Sequence, residues 1–200
     1  MTSGAAAQRK VIWDYKNPDP EGQAQAKYYR DARNAIAKFH DDGQDFAWLQ
    51  AQAAALLTGA QSVQSKQLAG RLKNNARAIQ RYADNFGDIE YEILPDVALA
   101  LSFGNVQVTV SPDLHVREGG KEKLVKLEFA EKEPDNEAIK IITQGMFEAA
   151  LVDGLKLPSS QVLYVDVPRG VRYKAARLGA RMRANIEAAC QNIAAIWPTI

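Results

Sequence analysis

Two hydrophobic periods divide the chain. Up to about residue 87 the apolar positions return every three or four residues: in 62–86, Leu68, Leu72, Ala76, Ile79 and Ala83 form one stripe, while Lys66, Lys73, Arg77 and Arg81 occupy the rest of the helix surface. Residues 21–39 and 45–57 are likewise rich in the good helix formers Ala, Gln, Lys, Arg and Leu. The segments HDDGQ and TGAQS break the helices with Gly and Asp turn chemistry. The opening WDYKNPDP has two prolines and no period, which predicts an extended arm.

From Tyr91 the period changes to two. VALALSF, NVQVTVSPDLHVRE and KEKLVKLEFAEKE alternate apolar and polar residues, and Gly-Asn and Gly-Gly turn signals separate them, so they predict three antiparallel strands in a meander. Residues 136–155 return to helix, apolar over much of the circumference through Ile139, Ile142, Met146, Phe147 and Leu151, and are expected to be well buried. QVLYVDVPRGVRYKA reads as two short strands around Pro168-Arg169-Gly170. A last helix, about 177–197, has Leu178, Met182, Ile186, Ala189, Ile193 and Ile196 on one stripe. The expected fold is α/β of the α+β kind: a mixed sheet with an antiparallel three-strand meander flanked by helices over 88–200, preceded by a helical layer over 1–87 that packs on this core. No internal repeat or low-complexity tract interrupts it.

The Gly119-Gly120 turn fixes a register. A two-residue turn pairs Glu118 with Lys121, and counting back places Val116 opposite Lys123, Leu114 opposite Val125, Pro112 opposite Leu127 and Val110 opposite Phe129. The other face then sets His115 opposite Leu124, Asp113 opposite Lys126 and Ser111 opposite Glu128. Opposed β-carbons lie about 4.5–5.5 Å apart, so Asp113, Lys126 and Glu128 converge on one patch. Two carboxylates at that distance can hold a divalent cation, and a neighbouring ammonium can orient the water that attacks a phosphodiester. Paired charges on a solvated sheet face are the ordinary alternative.

Composition narrows the classes. In 200 residues, 46% of them hydrophobic, a chain buries a sizeable core without disulfides or metal. Cys190 is the only cysteine, which excludes an internal disulfide and a cysteine-built zinc site and reads as a small buried residue. No apolar run approaches the roughly 18 residues of a membrane span, and the first residues have no signal-peptide character, so a cytoplasmic protein without a membrane partner is expected. The net charge of +1 excludes a globally basic nucleic-acid binder, yet residues 167–186 carry Arg169, Arg172, Lys174, Arg177, Arg181 and Arg183 with no acid. Lys174, Arg177 and Arg181 share a helical spacing suited to phosphate contacts, or to a solvated face. His115 reads as a strand histidine facing water and His40 as a helix-end residue. Trp13, Trp48 and Trp197 read as packing residues, and no P-loop, dinucleotide fingerprint, HExxH or nucleophile elbow is present.

SPDLHV at 111–116, the hairpin, KLVKLEF at 123–129, a helix containing Gln144 and the strand QVLYVDVPRGVRY together resemble the PD-(D/E)xK nuclease superfamily, especially its helicase-associated and phage-type exonuclease branch. The similarity covers about residues 78–195. It implies a magnesium- or manganese-dependent deoxyribonuclease in which Asp113 matches the metal-binding aspartate and Gln144 a supporting glutamine on the following helix. The family's strand motif is acid, any residue, lysine, whereas this chain has Lys126, Leu127, Glu128. Either the acid and lysine have exchanged places, or the site is degenerate. Asp84, Glu90 and Glu92 are equal candidates for an additional upstream acid. Three functions therefore stand: a metal-dependent nuclease with Asp113 and Glu128 as ligands, a degenerate nuclease-fold protein that binds nucleic acid or serves assembly, and an interaction protein that forms homo-oligomers through its N-terminal helices.

Overall fold

The structure is a computed structural model that describes residues 5–17, 28–175 and 180–199. Helix α1, Ala5–Lys16, begins on three alanines and carries a Lys10–Asp14 ion pair one turn apart at 2.7 Å. It therefore replaces the extended arm expected at Trp13 and Tyr15, and the helix stops just before Pro18, as the residue preceding a proline disfavours helix. The rest of that arm and the start of the second helix, residues 18–27, lie outside the described residues.

Helices α2 (Arg30–Asp41), α3 (Phe46–Ser62) and α4 (Lys66–Phe86) follow. The Asp45 carboxylate accepts the Trp48 N–H at 3.0 Å and the Ser65 hydroxyl accepts the Leu68 N–H at 3.3 Å, so both later helices start on a side-chain cap. Asn75 is the polar pin between α2 and α4. Fully buried in α4, it accepts the Ala32 N–H at 2.9 Å and donates to the Tyr28 carbonyl at 2.7 Å, which fixes the first turn of α2 and hence the positions of Tyr29 and Arg33.

The strands are β1 (Glu92–Ile93), β2 (Leu99–Phe103), β3 (Val106–Val110), β4 (Leu114–Glu118), β5 (Lys121–Glu128), β6 (Val162–Asp166) and β7 (Val171–Lys174). Five of them form one mixed sheet in the order β1-β4-β5-β6-β7, in which only β5 and β6 run parallel. The antiparallel three-strand meander is β1-β4-β5, and β2 and β3 form a separate hairpin inserted between its first two strands. The segment 106–118, expected as one strand, is thus two. Pro112 has no N–H to give a ladder, and the chain changes sheets there.

Helix α5, Asn136–Val152, starts on Asp135, whose carboxylate accepts the Glu137 N–H at 3.1 Å, and crosses over from β5 to the parallel β6. Helix α6, Ala180–Ile196, closes the chain. The sheet has a core on each face. On one side Ile36, Phe39, Leu49, Ile79 and Tyr82 of the first helices pack on Val116, Val125, Leu127 and Val165; on the other, Met146 and Ala149 of α5 and Leu99 and Leu101 of β2 pack on Leu124 and Val162. Two helices are less buried than their stripes predict. Leu151 is 50% exposed, and Ile186, Ile193 and Ile196 are half-buried with Ala189 exposed, as α6 packs mainly on β2, β3 and α1; Leu178 and the Met182 side chain lie outside the described residues. Among the described residues no helix is long and apolar enough to cross a membrane.

Candidate functional site

The hairpin register is the one the Gly-Gly turn dictates. Glu118 faces Lys121, Val116 faces Lys123, His115 faces Leu124 and Leu114 faces Val125, with Gly119 and Gly120 both in the left-handed region at φ 57 and 75. Beyond Leu114 the ladder changes hands. The Asp113 N–H still donates to the Val125 carbonyl at 2.8 Å, but the next N–H, that of Leu127, donates to the Asp113 side chain, Oδ2, at 2.8 Å. The carboxylate takes the place of a backbone acceptor, so the expected pairings of Pro112 with Leu127, Val110 with Phe129 and Ser111 with Glu128 do not form; Val110 pairs with Leu99.

Asp113 and Lys126 come together. The Asp113 side chain is only 7% exposed; Lys126 Nζ lies 3.2 Å from both of its oxygens and Arg33 Nε, from α2, lies 2.9 Å from Oδ1 as an ion pair without good hydrogen-bond alignment. Lys126 also reaches the Ser111 carbonyl at 3.4 Å. Glu128 shares the face of Lys126 by strand alternation but not its partner. Its Oε1 accepts the N–H groups of Phe129 and Ala130 at 2.9 and 2.8 Å, and its Oε2 accepts the Tyr164 hydroxyl at 2.9 Å. Burial first, and then the Glu128 charge, push the Tyr164 phenol well above its ordinary pKa, which keeps it a donor.

These donors do not suit a divalent cation. A carboxylate offers about four lone-pair sites; contacts from Arg33, Lys126 and Leu127 crowd those of Asp113, while three hydrogen bonds occupy Glu128. Two cations already face the single Asp113 carboxylate. Among the described residues no three His, Cys, Asp or Glu side chains gather in a metal-holding group.

Gln144 is on α5, 4% exposed, with Oε1 lacking a hydrogen-bond partner. Two residues of the cationic stretch, Arg169 and Arg172, are held by internal acids. Arg169 folds back on the fully buried Asp166, its guanidinium 3.0 and 3.1 Å from the two oxygens, and also donates to the Glu131 carbonyl. Gly170 permits this turn: its φ is 66, and a β-carbon there would meet the Asn85 side chain at 3.2 Å. Arg172 and Lys123 both hold Glu118, at 2.6 and 2.5 Å. Burial pushes the Glu118 carboxyl up, but those hydrogen bonds outweigh it and leave it below the ordinary carboxylate range. Lys174 is exposed, whereas Arg177 and the Arg181 side chain lie outside the described residues. Asp84, Glu90 and Glu92 are exposed, and Glu92 pairs with Arg117.

Both histidines are buried, against the expectation that His115 faces water. His115 Nδ1 sits 2.6 Å from the Pro95 carbonyl and Nε2 2.8 Å from Glu122, because the chain leading to the β2-β3 hairpin covers that edge of the sheet. His40 Nε2 sits 2.7 Å from the Tyr82 hydroxyl, and burial lowers its pKa from 6.5 to about 4. Of the tryptophans, Trp48 packs against the helical core, while Trp13 and Trp197 are 50% and 39% exposed. Cys190 is buried, and burial pushes its thiol up.

Sequence reasoning missed Arg33, Asp166 and the cluster of Arg77, Arg81 and Glu131. Arg81 lies 2.7 Å and Arg77 3.5 Å from Glu131, beside Tyr29 stacked on Phe129 with ring centres 5.0 Å apart. The four-residue spacing of Arg77 and Arg81 was visible in the sequence; their acidic partner 50 residues away was not. All these groups, with Asp113, Lys126 and Glu128, border the carboxyl ends of β5 and β6, the parallel pair at whose ends open α/β sheets bind ligands. Comparison with protein-family models, with curated proteins and with solved structures finds no match for the chain.

Proposed function

We propose that this chain is a nuclease-like protein that binds nucleic acid through phosphate contacts at the β5 and β6 ends without hydrolysing it. One observation carries the reading: the aspartate that resembles the metal-binding residue of PD-(D/E)xK nucleases is used as a structural acceptor for the Leu127 N–H and is neutralised by Arg33 and Lys126. A carboxylate so committed fastens β4 to β5. The order of elements supports the nuclease-like part: a helix, the antiparallel strands β1, β4 and β5, a helix, the parallel strand β6 and a final helix resemble that superfamily's core, with the β2-β3 hairpin and the antiparallel β7 as additions to it. Arg77 and Arg81 beside the strand ends supply cations of the kind that phosphate contacts need.

A second reading, hydrolysis of a phosphodiester, is favoured by one contact, the Lys126 ammonium 3.2 Å from Asp113. It requires Arg33 to leave the carboxylate and Glu128 to turn away from Tyr164. One experiment separates the two: single- and double-stranded DNA incubated with magnesium or manganese and either the native protein or Asp113→Ala, with binding followed by fluorescence anisotropy across salt concentrations. The expected result is salt-dependent binding with little sequence preference and intact DNA throughout. Cleavage by the native protein that Asp113→Ala abolishes would establish the hydrolytic reading, and absence of binding at low salt would remove the nucleic-acid reading.

A further inference from the structure

A cavity of about 40 Å³ opens beyond the carboxyl ends of β5 and β6, walled by Tyr29, Phe129 and Pro168 and closed on its polar side by Arg77, Arg81 and Glu131. A water needs roughly 10–15 Å³ on this measure, so the space holds about three atoms of that size. That is the scale of a tetrahedral oxyanion and too small for a nucleobase. Its polar wall already shows how an anion is held there: Glu131 Oε1 alone bridges Arg81 at 2.7 Å and Arg77 at 3.5 Å. Glu131 sits in the loop after β5 with its side chain 58% exposed, so it can swing away without opening the core. The arginines are themselves 56% and 35% exposed and anchored through α4, whose neighbouring Asn74 donates to the Tyr28 hydroxyl at 2.8 Å.

We propose that this cavity is a phosphate-monoester site in which the Glu131 carboxylate stands in for the ligand and is displaced by it. Charge selects the monoester. A phosphodiester carries one negative charge and gains nothing over the carboxylate it replaces, whereas a monoester carries nearly two at pH 7 and brings three acceptor oxygens to two forked guanidinium donors. That the monoester ends a nucleic-acid strand rests on the reading above; that the cavity takes a monoester does not.

The test uses the full chain. Inorganic phosphate and dimethyl phosphate are titrated calorimetrically at pH 8 into the native protein, Glu131→Gln and Arg77→Ala/Arg81→Ala, and an oligonucleotide is offered with a 5′-phosphate, a 3′-phosphate or no terminal phosphate. Inorganic phosphate is expected to bind the native protein, to bind Glu131→Gln about tenfold tighter and the arginine double variant at least about tenfold weaker, tenfold being one charged hydrogen bond. The advantage of the terminally phosphorylated oligonucleotide over the unphosphorylated one is also expected to fall as pH drops below about 6, where the monoester loses its second charge, and dimethyl phosphate is expected not to bind. The exposure of both arginines keeps the double variant folded, checked by its circular dichroism. No phosphate binding to either the native protein or Glu131→Gln, binding indifferent to the arginines, or equal binding of dimethyl phosphate would overturn the site. Phosphate bound with no oligonucleotide bound supports the site and removes the nucleic-acid reading; oligonucleotides bound without regard to terminal phosphate, with no phosphate bound, does the reverse.

Discussion

Replacing Asp113 with Ala asks whether this carboxylate is a fastening or a functional acid, because the two roles change stability in opposite directions. As a fastening, Asp113 accepts the N–H of buried Leu127 at 2.8 Å and pairs with Arg33 and Lys126, each under a third exposed. Losing a charged acceptor from a buried N–H costs about 1.5–3 kcal/mol, and two partly screened ion pairs add about 0.2–1 kcal/mol each. The expected destabilisation is therefore about 2–5 kcal/mol, or a melting temperature lower by about 4–20 °C for a chain of this size. Asp113→Asn keeps an oxygen for Leu127 and loses only the charge, so it should cost less than half as much. Urea unfolding followed by far-ultraviolet circular dichroism measures both. If Asp113 were instead held in place for catalysis, its removal would relieve a locally unfavourable arrangement and raise stability. An Asp113→Ala protein as stable as the native one, or more stable, would refute the structural reading.

Two further outcomes follow from buried polar groups. His40, whose pKa burial lowers from 6.5 to about 4, stays neutral in the fold while the unfolded chain takes up a proton; its contribution is complete above pH 6.5 and is lost as pH falls through 4, up to about 3 kcal/mol. Following the His40 imidazole by nuclear magnetic resonance checks this, and a midpoint above 6 contradicts it. Gln144 buries an oxygen without a partner, so Gln144→Leu should raise unfolding stability by about 1–2 kcal/mol in urea; a loss of stability would show that this oxygen is satisfied and needed.

How far the sequence could be read depended on how local the determinant was. The Gly119-Gly120 turn and strict alternation around it gave the β4-β5 register residue for residue, since both act within a few positions. The same reasoning failed two residues further on. There the Asp113 side chain, rather than a backbone carbonyl, accepts the Leu127 N–H, and nothing in a hydrophobic pattern distinguishes the two acceptors. Short β1 has too few residues to show a period, and α1 forms on alanines whose apolar character is too weak to mark a face. The site was legible only in part for a related reason. Asp113 and Lys126 meet through the hairpin, whereas Arg33, Arg77 and Arg81 reach their acids from separate helices, and only the tertiary fold brings them there. Charge along a sequence also says nothing about partners: Arg169 and Arg172 of the basic stretch are held on Asp166 and Glu118.

The order of lysine and acid on β5 has a geometric consequence that accounts for the arrangement at the strand ends. Residues two apart on a strand share a face and stand about 7 Å apart along it. Placing the lysine first sets Lys126 against Asp113 and carries Glu128 one step past the end of the ladder that Asp113 terminates. The two carboxylates find different partners. Asp113 finds cations and a backbone N–H, while Glu128, at the exit from the sheet, finds the N–H groups of Phe129 and Ala130 and the Tyr164 hydroxyl of the parallel strand. Those contacts shape the loop that carries Glu131 towards Arg77 and Arg81. The residue order on β5 thus also shapes the wall of the neighbouring cavity, whose polar side is the Glu131 carboxylate held by Arg77 and Arg81.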